Sequence, residues 1–245
     1  MPLFTTAKDS EYKDGMEAHL QDLGRPLSYI AENFAKYCKR QELTRFLARH
    51  ELFTKILNIK GSIIECGVYS GNGLMSWAQL SAILEPMAFW RRVYGFDTFE
   101  GFPQVSATDS SGSKLAEAKT GDLSDDCYED LLRCVKLFDL NRLLSQFPKV
   151  VPIKGDFCQT GERFLKENPH LLVALLYLDF DLYEPTKKAL ELFLPRMPKG
   201  AILGFDEINN PEWPGETLAM LDCLNIRDIA IQKFPYEPNI AYIQL

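Results

Sequence analysis

Two short apolar runs in LLVALLYLDFDLYEPTKKALELFLPRMPKGAILGFDEINNPEW (171–213) each end in an acidic pair, Asp179 and Asp181 after the first and Asp206 and Glu207 after the second. The helical pattern at 185–194 between them makes a strand–helix–strand unit, so the strands are parallel and both pairs emerge at one edge of a sheet. That edge, the carboxyl end of the strands, is where open α/β sheets bind ligands. Four carboxylates gathered there repel one another, and either a cation or a proton-transfer task must hold them. Oxygen-only donors favour Mg2+ or Ca2+ over zinc. In an extended segment Asp179 and Asp181 project to the same side, one to a metal and one to a substrate. The competing reading is a set of solvated acids and helix caps, with Asp181 capping the helix that begins near Pro185.

A second chemical signal is IIECGVYSGNG (63–73), in which Gly67, Gly71 and Gly73 end a strand and open a helix. Glycines there let the backbone turn tightly and approach a ligand. The spacing is GxxxGxG rather than GxGxxG, which disfavours a dinucleotide; on glycines alone a plain strand–helix turn and a cofactor loop stay equally open. The next strand, in RRVYGFDTFEGFP (91–103), ends at Asp97, where a carboxylate can accept from ribose hydroxyls. A third strand leads into KGDF (154–157), with Asp156 either near an adenine pocket or capping the following helix. Trp213 follows the second acidic pair and can stack on a sugar or simply pack in its loop.

The elements that must position these residues alternate. The first sixty residues read as helices, with patterns at 27–40 and at 42–57, the latter carrying Leu43, Phe46, Leu47, Phe53, Ile56 and Leu57. Strands are expected at 63–68, 92–96, 150–153, 172–178 and 201–205, and helices at 73–84, 161–166 and 185–193. This is the rhythm of a doubly wound, mostly parallel α/β sheet. Segments 228–234 and 240–245 read as a closing antiparallel hairpin. The connection 101–145, polar and then helical, is too long for a simple turn and suits a lid over the active edge.

These residues resemble the metal-dependent macrocin O-methyltransferase family, which uses S-adenosylmethionine. The resemblance runs from about Arg45 to the C-terminus and is carried by ECGVYSGNG, VYGFDTFEGFP, LYLDFDLYEPT and GFDEINNPEWPGE. It implies a class I methyltransferase fold, a Rossmann-like seven-stranded sheet with the antiparallel hairpin, an N-terminal helical cap (1–60), a cofactor-binding domain (61–245) and the lid at 101–145. It also implies that Glu65, Gly67 and Gly71 hold the methionine part of the cofactor and Asp97 its ribose. Val68, Tyr69, Ser70, Thr98, Gly155, Asp156, Phe157 and Asp179 complete the expected cofactor-binding set. Asp179, Asp206 and Glu207 match the Mg2+ ligands, and Asp181 the catalytic base. The family often has glycine where this chain has Phe180, and Asp-Asp where it has Asp206-Glu207. The implied acceptor is a sugar hydroxyl; a catechol or phenol acceptor, nicotinamide-dependent oxidoreduction and a non-catalytic cofactor-binding module are the alternatives.

Composition narrows the partners. A net charge of −7 argues against nucleic acid as the main partner, and no run approaches the ~20 apolar residues of a bilayer span. The N-terminal segment lacks a charged-then-apolar signal design. Six cysteines without CxxC spacing and three scattered histidines give neither a disulfide framework nor a zinc site, and reduced thiols imply the cytoplasm. A small-molecule or glycan acceptor is therefore expected. The extra N-terminal helices, which could cap the cofactor or form an interface, and the resemblance make a homodimer the expected assembly.

Overall fold

The computed structural model describes residues 6–106, 108–109 and 119–245. Of the expected lid, residues 107 and 110–118 lie outside the described residues. The chain divides into two compact units, Met1–Thr44 and Arg45–Leu245.

The first unit carries α1 (Ala7–Asp22), α2 (Leu27–Glu32), α3 (Phe34–Tyr37) and the start of α4 (Arg40–Lys55). A capping box opens α1: the Asp9 amide donates to the Thr6 hydroxyl, and the Thr6 amide to the Asp9 carboxylate at 2.8 Å. The helix expected over 27–40 is broken at Asn33 (φ −114°, ψ 30°), whose side-chain amide donates to the Tyr29 carbonyl at 2.8 Å. A short polar side chain bonding its own preceding turn competes with the helix ladder.

In the second unit the strands are β1 (Ser62–Cys66), β2 (Val93–Asp97), β3 (Val150–Lys154), β4 (Val173–Leu178), β5 (Ile202–Phe205), β6 (Gln232–Lys233) and β7 (Ala241–Gln244). Their order is β3-β2-β1-β4-β5-β7-β6, parallel from β3 to β5, with β7 antiparallel to both neighbours. The expected mostly parallel sheet with an antiparallel C-terminal pair is therefore present. Its helices are α5 (Asn72–Leu84), α6 (Tyr128–Leu140), α7 (Phe157–Glu167), α8 (Tyr183–Phe193) and α9 (Gly215–Cys223). β1, β4 and β5 are apolar on both sides because each face has its own core. Ile63, Leu175 and Ile202 meet Leu52, Phe53 and Trp77 on one face; Ile64, Leu176 and Leu203 meet Phe164 and Phe193 on the other.

Three expectations change. Strand β6 is two residues rather than the seven of 228–234. Helix α9 adds an element to those expected, after the second acidic pair. The inward face of α4 is Ala48, Arg49, Leu52 and Phe53, whereas Phe46 and Leu47 of the expected apolar face are exposed. Among the described residues, no helix is long and apolar enough to cross a membrane.

Candidate active site

Strand order reverses between β1 and β4, and a cavity of about 410 Å3 opens there at the carboxyl ends of β1 to β5. Of the residues singled out from sequence, Gly67, Tyr69, Asp97, Thr98, Gly155, Asp156, Phe157, Asp179, Asp181 and Glu207 line it. Val68, Ser70, Gly71, Glu65 and Asp206 do not.

The loop after β1 is held by the protein itself. One Asp97 oxygen accepts from the amides of Val68 (2.7 Å) and Tyr69 (2.9 Å), and the other from Phe99 (2.7 Å). A carboxylate has about four lone pairs, so roughly one remains for a ligand. These bonds fix Tyr69 (φ 49°) and Phe99 (φ 55°) in the left-handed region. Gly71 (φ 89°) caps α5, its amide donating to the Val68 carbonyl at 2.9 Å. Asp156 both lines the cavity and caps α7, accepting from the Cys158 amide at 2.9 Å. The capping role is therefore present in a residue that also borders the cavity.

Glu65 lies behind the cavity, 1% exposed, with an oxygen so close to Gly73 that a Cβ there would sit 1.9 Å from it. Burial pushes its carboxyl up to about 8, against the pull of Arg49. Since the folded value lies above the ordinary 4.5, the proton on folded Glu65 stabilises the chain fully below about pH 4.5, and that contribution is lost as pH rises through about 8. Thermal melts should accordingly show stability falling over that window, and Glu65→Gln should remove part of the fall. An identical decline in the variant would assign it to other groups.

The acidic edge departs from the expected geometry at Asp181. Its φ of 61° takes Asp181 out of the extended conformation, yet Asp179 and Asp181 both line the cavity. Asp206 is 3% exposed behind them and accepts from the Tyr177 hydroxyl at 2.5 Å. The Arg45 guanidinium from α4 bonds the same Asp206 oxygen and lies 3.7 Å from Asp179. Burial works against the Arg45 charge, but Asp206, Tyr177 and Asp179 more than offset it and raise its pKa. Burial most of all, then Asp206, Asp181 and Glu216, push the Asp179 carboxyl well above its ordinary value, against the pull of Arg45.

Glu216, in the first turn of α9, is fully buried, and one oxygen accepts from the Glu207 amide at 3.1 Å while the other has no partner. Burial, Asp181 and Asp206 hold its carboxyl well up. Among the described residues, no three His, Cys, Asp or Glu side chains stand ready as a metal cage.

Part of the lining is apolar: Phe102, Leu182 and Trp213 cluster, with the Phe102 and Trp213 rings 6.1 Å apart. It is tied to α8 by Asp109, 1% exposed. One Asp109 oxygen accepts from the Tyr183 amide (2.7 Å), the other from the amide and hydroxyl of Ser106. Leu182, at the N-cap of α8, offers no side-chain cap, so Asp109 supplies one from 74 residues away. Asp109→Ala should cost about 1–2 kcal/mol in urea unfolding, and a variant as stable as wild type would refute this capping role.

A cavity at the switch point, floored by a glycine loop tied to the carboxylate after β2 and edged by acids after β4 and β5, defines a class I methyltransferase. Residues 50–213 match the macrocin O-methyltransferase (TylF) family, and the chain belongs to it. The crystal structure of CalS11, a calicheamicin methyltransferase, superposes with a TM-score of 0.93 at 32% identity, covering 99% of this chain and 94% of that one. An apo structure of CalS11, described as a TDP-rhamnose 3'-O-methyltransferase, gives 0.85 at 29%, covering 99% and 96%. The 8-demethyl-8-(2,3-dimethoxy-alpha-L-rhamnosyl)-tetracenomycin-C 4'-O-methyltransferase of Streptomyces olivaceus is 29% identical over 150 residues, 61% of this chain. That match spans about half the relative's length, 53%.

Proposed function

We propose that this chain transfers a methyl group from S-adenosylmethionine to a sugar hydroxyl, with Mg2+ assisting. The observation that carries the reading is that Asp179 and Asp181 face one cavity with the Gly67 loop and Asp97 at the switch point of the sheet. The rhamnose-linked acceptors named for two of the relatives support a sugar.

The residues suit both groups. The glycine turn leaves the cavity floor without side chains at Gly67, and Asp97 keeps acceptor capacity for a hydroxyl. Asp179, Asp206 and Glu207, at the ends of β4 and β5, carry only oxygen donors, the kind Mg2+ prefers, and Glu216 adds a buried carboxylate oxygen without a hydrogen-bond partner. When bound, S-adenosylmethionine supplies an electrophilic sulfonium methyl and Mg2+ supplies Lewis acidity toward an acceptor oxygen.

The chain's residues do the rest. A carboxylate oxygen of Asp181 would take the proton of the acceptor hydroxyl as the hydroxyl oxygen gains the methyl group, the methyl–sulfur bond of the cofactor breaking and S-adenosylhomocysteine leaving. Phe102, Leu182 and Trp213 exclude water and give a sugar ring an apolar face to lie on. Holding acceptor and cofactor together within one cavity would supply much of the acceleration.

The test pairs calorimetry with turnover. S-adenosylhomocysteine should bind with micromolar-class affinity and NAD+ should not. Incubation with S-adenosylmethionine and a panel of nucleotide deoxysugars should yield a singly methylated product by mass spectrometry. Absence of S-adenosylhomocysteine binding would refute the methyltransferase reading; binding without methylation of any sugar, alongside turnover of a catechol, would refute the sugar.

A further inference from the structure

We propose that Arg45 is a built-in counter-ion of the acidic edge: it holds Asp206 when no metal is bound, must leave it for a divalent cation to bind, and so sets the metal affinity of the site. The inference rests on the Mg2+-assisted reading above.

Three observations lead to it. The Arg45 guanidinium engages Asp206 and lies 3.7 Å from Asp179, two of the three residues given to the cation. The Asp206 oxygen it uses also accepts from the Tyr177 hydroxyl at 2.5 Å, so both lone pairs of that oxygen are already engaged. Tyr177 is fully buried against Trp77, so of the two donors to that oxygen Arg45 is the one on the exposed side.

The physical consequence is competition. A divalent ion and a guanidinium sharing one carboxylate in a site only 4–27% exposed repel each other with little screening. A positive charge is well placed at this edge. Glu216 is fully buried with one oxygen unpaired and lies within electrostatic reach of Asp181 and Asp206. Arg45 sets its charge directly against Asp206 in this group. Arg45 is itself 24% exposed, so its long side chain has a path from Asp206 to water.

The experiment measures Mg2+ affinity by calorimetry, with Mn2+ binding by electron paramagnetic resonance as a second readout, on wild type, Arg45→Met and Arg45→Lys. Melting temperatures with chelator and with Mg2+ accompany it. Arg45→Met should bind Mg2+ about tenfold tighter or more, melt below wild type in chelator, and gain more than wild type from Mg2+. Arg45→Lys, keeping a charge on a shorter reach, should fall between the two. Should Arg45→Met fail to fold in chelator, the lysine variant decides: tighter binding than wild type supports competition, and equal or weaker binding overturns it. Metal binding by wild type that is unchanged or weakened in Arg45→Met overturns the role of Arg45 and leaves the Mg2+ reading standing. Binding by neither protein overturns the Mg2+ reading and this proposal with it, whereas binding only by Arg45→Met supports competition in its strongest form.

Discussion

Asp181→Asn is expected to lower kcat by roughly 10²–10⁴-fold, the usual worth of a general base, while S-adenosylhomocysteine binds within about twofold of wild type. The substitution is unusually clean here. Asp181 sits at φ 61°, a left-handed conformation that asparagine tolerates better than other side chains, so the turn carrying it has no steric reason to move. What changes is that a carboxylate able to take a proton becomes an amide that cannot. Single-turnover methylation of a sugar acceptor, read beside calorimetric product affinity, separates the two effects. Wild-type turnover in the variant would dismiss Asp181 as the base, whereas loss of product binding would make it a structural residue of the pocket.

The parts of this architecture that could be read from the chain are those set by local pattern and connectivity. Alternating apolar runs and helical patterns gave the sheet, and the strand–helix–strand rule put Asp179 and Glu207 on one cavity although 28 residues separate them. What stayed hidden depends on contacts across sequence. Arg45 meets Asp206 from 161 residues away, and nothing local marks it. Periodicity was misleading on α4, because that helix turns Arg49 inward, 4% exposed with its guanidinium over the Tyr177 ring, and leaves Leu47 outside. Arg49 faces the buried Glu65, whose charge it offsets, so the helix turns a cation inward where periodicity alone expects leucine. Glu216 had a faint signal, an acid in the first turn after a Trp-Pro-Gly sequence. That pattern ordinarily denotes a favourable helix-dipole position rather than a buried partner of the site.

Asp97 shows how a residue can be found for one reason and matter for a second. The sequence marks it as a hydroxyl acceptor at the end of β2, but three backbone amides already use its carboxylate to hold the loop after β1. The shape of the cavity floor therefore precedes any ligand, and the same holds more strongly for Gly67.

Gly67→Ala is expected to cost about 3 kcal/mol or more and to abolish product binding. The residue has φ +88°, and a Cβ there would lie 1.9 Å from the Asp179 carbonyl oxygen and 2.5 Å from its carbon. Both are backbone atoms at the end of β4, where the Asp179 amide is itself bonded to the Cys66 carbonyl at 2.7 Å, so no side chain can swing aside to make room. The clash must part the ends of β1 and β4 and carry Asp179 away from Asp206. Gly71→Ala should be milder, about 1–2 kcal/mol: its φ of +89° is as unfavourable, but the obstructing atom is the Leu131 methyl, which can shift. Gly15→Ala, in α1 with open space around it, should be neutral or stabilising by up to about 1 kcal/mol. Urea unfolding of the three variants gives the ranking. If Gly67→Ala were as stable as wild type but failed to bind S-adenosylhomocysteine, the glycine would be needed for the ligand alone. The expected loss of both places its requirement first in the approach of two strands, which then leaves the ligand its floor.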